Sequence, residues 1–134
     1  MISSADEFCR LRTSSKPEEY ERAARDSADE AVWLNIIERY ADMRVWVAQN
    51  KTVPLSILKL LATDEDERVR SMVAGKRKLD EETFALLAQD PNAGVRHRIA
   101  CNAKTPPEVL RRLSRDEEQF VTAAALERLR ASAS

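Results

Sequence analysis

One short motif constrains the chain more than any other feature. Val47-Ala48 returns as Val73-Ala74 and again as Ile99-Ala100, at a constant step of 26 residues. Advancing the chain by that step brings further columns into register without a gap. Arg44, Arg70 and Arg96 form one, and Met43, Val69, Val95 and Val121 another. Leu58, Phe84 and Leu110 align, as do Leu61, Leu87 and Leu113, then Ala62, Ala88 and Ser114, then Asp64, Asp90 and Asp116. Asn50 and Asn102 share a column with Lys76, and Pro54 and Pro106 share one with Asp80. A fixed period of roughly 20 to 50 residues marks a stack of structural repeats, because so short a unit cannot bury its own apolar face and covers it with a copy of itself.

Each repeat reads as two short helices. Ala, Leu, Glu and Arg dominate, and only two Gly and three Phe occur, a composition that favours helix over strand. In the middle repeat the first helix is expected from about Arg68 to Gly75, with Val69, Met72 and Val73 on one face by i, i+3, i+4 spacing. Gly75 is expected to close it in the left-handed conformation, and Asn50 and Asn102 to do the same one position further on in their repeats. The second helix is expected from about Asp80 to Gln89, with Phe84, Leu87 and Ala88 inward. In the third repeat, Thr105-Pro106-Pro107-Glu108 places Thr at the N-cap, Pro at the first helical position and Glu three residues past the cap.

The expected organisation is one domain, residues 1–134. Residues 1–16 supply an N-terminal helix (Ser4 to Arg12) and a polar linker. Residues 17–42 form a degenerate repeat, with Ala23-Ala24 in place of Val73-Ala74, Ile37 in place of Leu87 and a Ser27-Ala28-Asp29-Glu30 cap. Residues 43–119 hold three repeats, and residues 120–134 a capping helix, Phe120 to Arg130, with a frayed tail from Ala131 to Ser134. Arg112, where the earlier repeats have Leu60 and Leu86, fits a terminal unit whose outer face meets water. Trp33 is expected in the core of the degenerate repeat.

The run Val69-Arg70-x-x-Val73-Ala74, a polar turn, then Leu87-Ala88-x-Asp90 resembles the leucine-rich repeat variant family of HEAT-like proteins. The third repeat is similar at Val95-Arg96-x-x-Ile99-Ala100-x-Asn102, Thr105-Pro106-Pro107-Glu108-Val109-Leu110 and Leu113, so the resemblance covers about residues 43–121. It implies an all-α fold, a short right-handed α-solenoid of stacked two-helix repeats. Some members of that family carry an N-terminal iron–sulfur segment with several cysteines. Only Cys9 lies in that region here, so the cluster does not carry over and no cofactor is expected. Small helical-repeat proteins of this look also resemble bacterial immunity proteins, which neutralise a toxin.

The turns carry opposite charge. Lys51, then Lys76-Arg77-Lys78, then Lys104 mark the turn inside each repeat, and Asp64-Glu65-Asp66-Glu67, Asp90 and Asp116-Glu117-Glu118 mark the turn between repeats. Two accounts compete: local stabilisation of helix dipoles, or a basic edge centred on Lys76, Arg77 and Lys78 that meets an acidic partner. The Arg44, Arg70, Arg96 ladder likewise reads either as a phosphate-binding row or as a staple, with Asp64 and Asp90, six residues ahead of Arg70 and Arg96, as its carboxylates. The varying column Trp46, Met72, Arg98 is either a recognition surface, since Trp and Arg are favoured at binding hot spots, or core with an exposed end.

Catalysis has little to build on. His97 is the one histidine, and a nucleophile–base set needs it beside Cys101 or Ser114 together with an orienting carboxylate. No HExxH, CxxC or Gly-rich phosphate loop occurs, so no metal site is expected, and Cys9 and Cys101 are expected as two reduced thiols. The acidic opening lacks the basic-then-apolar run of a signal peptide, and no stretch approaches the ~20 apolar residues of a membrane span, so a cytoplasmic chain is expected. The net charge of -1 argues against a dedicated nucleic-acid binder without excluding a basic patch. The functional expectation is a non-enzymatic scaffold for a protein partner, a toxin domain being one candidate, with a nucleic-acid backbone binder as the alternative.

Overall fold

The computed structural model describes residues 1–133 and builds ten α-helices and one 3₁₀ turn; Ile2 and Ala28 make the only β-bridge among the described residues. The chain is all-helical and its helices pack in pairs. It divides into two units, Met1–Leu61 and the segment that starts at Ala62. No described helix is long and apolar enough to cross a membrane.

The first unit holds α1 (Ala5–Thr13), α2 (Pro17–Arg25), α3 (Glu30–Arg39), a 3₁₀ turn (Ala41–Met43), α4 (Arg44–Gln49) and α5 (Leu55–Leu61). Ser4 starts α1 by accepting the Glu7 N–H at 3.0 Å, and Pro17 starts α2 at a position where a missing N–H costs nothing. Helix α1 packs on α2 and α3, and α4 packs on α2, α3 and α5. Ile2, Phe8, Leu11, Trp33, Ile36, Val47, Leu58 and Leu61 form the core. Phe8 meets the fully buried Trp33 edge-on, with ring centroids 5.7 Å apart, so Trp33 is core as expected. Ile37 is only half-buried, and Ile36 takes the inward place instead. The Ser27 cap does not form: Asp29 holds the N-cap position without a side-chain bond, and the Ser27 carbonyl accepts the Ile2 N–H at 2.8 Å.

The second unit holds α6 (Glu67–Ala74), α7 (Glu81–Leu87), α8 (Ala93–Cys101), α9 (Pro107–Leu113) and α10 (Gln119–Ala133). Helix α8 packs against both α6 and α10, and α9 lies on α8 and α10. Val69, Val73, Phe84, Leu87, Val95, Ile99, Leu110, Leu113 and Val121 are buried, one apolar stripe per helix. Asp66, Asp80 and Asn92 cap α6, α7 and α8 by accepting N–H groups of their first turns. The tail does not fray where expected: α10 runs on through Ala133, and Ser134 lies outside the described residues.

Helices this short leave almost as many unpaired backbone groups at their ends as they satisfy inside. Two polar columns supply the missing partners. In the first, Asn50 Nδ2 donates to the carbonyls of Ala23 (2.8 Å) and Asp26 (3.0 Å), and Asn102 Nδ2 to those of Ala74 (2.9 Å) and Lys76 (2.6 Å). One step further along the same column, Arg128 donates to the carbonyls of Asn102 (2.6 Å) and Ala103 (3.1 Å). In the second column, Arg70 grips the Asp90 carboxylate with Nε (2.7 Å) and Nη2 (3.2 Å), and Arg96 grips Asp116 in the same way (2.8 and 3.2 Å). The remaining amino group of each reaches back six residues, from Arg70 to the Asp64 carbonyl and from Arg96 to the Asp90 carbonyl. Thr122, next in that column, takes the Asp116 carbonyl at 2.9 Å.

These contacts correct several expectations. The arginines do staple the turn behind them, but through its backbone; the carboxylate they hold is the one twenty residues ahead. Spacing suggested the nearer Asp because it counts residues along the chain, whereas the pairing is made across neighbouring helices. Asn50 and Asn102 are extended rather than left-handed, since they act through their side chains. Gly75 closes α6 at φ -82 and ψ -7, a right-handed conformation open to any residue. Thr105 is not an N-cap: α9 starts at Pro107 with Pro106 before it, and the buried Thr105 hydroxyl donates to the Ile99 carbonyl at 2.6 Å.

Two outcomes follow from the columns. Asn102→Ala leaves the Ala74 and Lys76 carbonyls without a donor, so urea denaturation should show a loss of about 1–3 kcal/mol. Burial opposes ionisation of Asp116, but the Arg96 hydrogen bond, the Glu118 N–H and the Arg96 charge outweigh it and hold its carboxyl below the usual carboxylate range. A lowered folded value means that the pair contributes fully above the unfolded carboxyl value of about 3.9 and is lost as pH falls through the folded value. Asp116→Asn should therefore lower the thermal midpoint at pH 7, and the gap to wild type should narrow below about pH 4.

Candidate functional site

Because the backbone columns consume the aspartates, the two kinds of turn end up chemically unequal. Asp90 and Asp116 are bound by Arg70 and Arg96, Asp66 pairs with Arg68 at 2.8 Å, and Asp64 accepts the Asp66 N–H at 3.0 Å. Glu67 accepts the Asn92 amide at 2.7 Å. Four cations of the second unit are not used in this way. Arg77, Lys78, Arg98 and Lys104 form no ion pair among the described residues. Desolvation by the surrounding chain holds the Lys78 ammonium below the usual lysine range.

The structure joins two groups of residues that the sequence left separate. Arg98, from the varying column, and Arg77, from the basic turn, line one cleft of about 270 Å³ with Gly75, Cys101, Asn102 and Ala103. No carboxylate lines it. Asn102 forms its floor because its side chain is fixed on the Ala74 and Lys76 carbonyls. Gly75 has a role that its backbone angles do not explain: a Cβ there would collide with the Arg98 guanidinium. The glycine is what lets Arg98 lie flat along the end of α6. Lys76 is half-buried and Lys78 exposed at the same turn, while Met72 is half-buried on α6.

Trp46 belongs to the first unit and is half-buried. The Arg12 guanidinium lies 3.5 Å above its ring centroid, a cation–π stack that the sequence did not signal. Beside it opens a second cleft, of about 440 Å³, whose cations are Arg12, Arg25 and Lys51. A third, of about 270 Å³, lies along α7 and α9 and has the opposite lining, with Glu81, Glu82 and Glu108 against the single Arg112. Arg12 and Arg25 were missed because nothing in the 26-residue register reaches α1; the one available signal is that both sit in the last turn of a helix, where cations gather.

His97 does come to Cys101, with Nε2 3.5 Å from the thiol sulfur, and its ring tilts against Phe120 at 5.4 Å. Ser114 is engaged elsewhere, donating to the Arg111 carbonyl at 2.6 Å. Both cysteines are free thiols, and Cys9 is pushed above the usual thiol range by burial and by the charges of Asp42 and Asp6. No group of three metal-ligating side chains occurs among the described residues.

No family model, curated protein or solved structure matches the chain.

Gly75→Ala separates cleft geometry from stability. Its right-handed angles accept alanine, and the residue in conflict is the far end of a flexible side chain, so the thermal midpoint should stay within a few degrees or rise. The displaced Arg98 should show in amide and guanidinium NMR shifts at the cleft; a spectrum unchanged there counts against the close packing.

Proposed function

We propose that this chain is a non-catalytic helical-repeat scaffold that binds an acidic protein partner through its basic turns. The architecture proposed is a short right-handed α-solenoid of the leucine-rich repeat variant kind, with a 26-residue period. Supporting that architecture, both polar columns recur at the period: Asn102 and Arg128 in one, and Arg70, Arg96 and Thr122 in the other. The scaffold acts in the cytoplasm, with both thiols reduced, and a toxin domain that it neutralises is one partner of the right class.

The observation that carries the binding reading is the cleft of Arg77 and Arg98. Arg77 and Arg98 line one recess with no acid in the lining, while the aspartates of the opposite turns are spent on the fold. Helix-dipole stabilisation accounts for a cation near a helix end, but it does not bring two together in one acid-free recess. Carboxylate side chains of a partner fit the paired guanidiniums in bidentate geometry, and long-range charge speeds the encounter.

The test is capture from the native host with wild type beside an Arg77→Ala, Lys78→Ala, Arg98→Ala variant, followed by affinity measurement on the purified partner. The expected outcome is one acidic protein held by wild type and bound roughly tenfold or more weakly by the variant. Equal retention by both moves the interface off these residues. Capture of nucleic acid alone, with affinity falling steeply and linearly in log salt, supports the backbone-binding alternative.

A further inference from the structure

The larger cleft, in the first unit, has a charge arrangement that no contact within the chain explains. Arg12 enters from the last turn of α1, Tyr20, Glu21 and Arg25 from α2, and Lys51 from the turn after α4. Three other acids of α1 and α2 and the turn after it are committed elsewhere: Glu19 to Arg10 at 2.6 Å and to Ser14, and Asp26 and Glu7 to Arg22 at 2.8 and 3.6 Å. Glu21 is the one carboxylate in the lining, and it forms an ion pair with none of the three cations. The Ala24 carbonyl is taken by the Lys51 N–H at 2.8 Å, and those of Ala23 and Asp26 by Asn50.

Arg12 is held in an unusual way. Its guanidinium rests on the Trp46 ring, and its Nε is buried without a hydrogen-bond partner. A guanidinium stacked flat on an aromatic ring keeps in-plane N–H donors for an anion, and it is positioned without spending a carboxylate on it. Three cations against one acid leave a formal excess of two positive charges. The complement is a dianion with several acceptor oxygens, and a phosphomonoester carries about that charge at pH 7. A lone carboxylate supplies one charge and two oxygens, too few for two guanidiniums and an ammonium. The volume falls within the range of small-molecule sites, and the exposed Tyr20 ring borders it with apolar surface for the organic part.

We propose that the cleft of Arg12, Arg25 and Lys51 binds a small-molecule phosphomonoester, with its organic group against Tyr20. This site is independent of the partner-binding reading, which rests on residues of the second unit. The test is calorimetric titration of the full chain with phenyl phosphate and with benzoate at matched ionic strength, while Trp emission is followed in parallel. Trp33 is buried against Phe8, so a ligand-dependent change reports on Trp46 under Arg12. The expected result is saturable binding of phenyl phosphate with stoichiometry near one, at least roughly tenfold tighter than benzoate. Arg25→Ala and Lys51→Ala, at two exposed positions outside the core, should keep the wild-type thermal midpoint and each weaken binding by about tenfold or more. No saturable heat with phenyl phosphate, equal affinity for benzoate, or affinity unchanged in both folded variants overturns the proposal.

Discussion

The structure depends on the satisfaction of helix-end backbone groups. A helix of eight or nine residues, such as α2, α6 or α8, closes few internal hydrogen bonds, and its last carbonyls need donors from elsewhere. Asn50, Asn102 and Arg128 are those donors, each reaching back about one repeat length to a helix end or turn. Their burial makes the arrangement demanding. Asn50 is fully buried and Asn102 nearly so, and a buried amide without partners costs more than the bonds it makes return. Apolar stripes bring the helices together, whereas the polar columns decide how far each helix is set along its neighbour.

The same requirement partitions the charges. Arg70 and Arg96 need carboxylates because their guanidiniums are largely buried, and Asp90 and Asp116 supply them. Asp90 and Asp116 are thereby withdrawn from solvent chemistry. Lys51, Arg77 and Arg98 form no ion pair among the described residues, and they line clefts. An overall charge of -1 hides this separation, because the cancellation is arithmetic and not local.

Element positions were largely legible in the sequence. Val69, Val73, Val95 and Ile99 mark inward faces by spacing alone, and α6 and α8 fall where those residues require. Partner choice was not legible. Asp64 and Asp90 stand at equal distances before Arg70 and Arg96 in the chain, yet the bonds run forward to Asp90 and Asp116, because side chains choose among neighbours in space. Asn102 has the chemistry of a helix-closing residue and of a carbonyl clamp, and only the stacked neighbour selects between them. Thr105 in front of two prolines has the spelling of a cap, yet its hydroxyl is buried and turned toward Ile99. Arg98 was visible as variation within a fixed frame. The Arg12 cleft was not, because α1 lies outside the periodic segment and its register against Trp46 is a tertiary fact.

The reach of the columns also bears on synthesis. The contacts in them join residues either six or about 20 to 28 positions apart, so no bond in the set waits for a distant part of the chain. The entropy of closing such a loop is modest. A nascent chain leaving the ribosome can therefore complete one contact for each two dozen or so residues that emerge, burying each helix end soon after it is made. Arg128 closes the last of them, leaving Asn102, the clamp before it, with its own carbonyl satisfied as well.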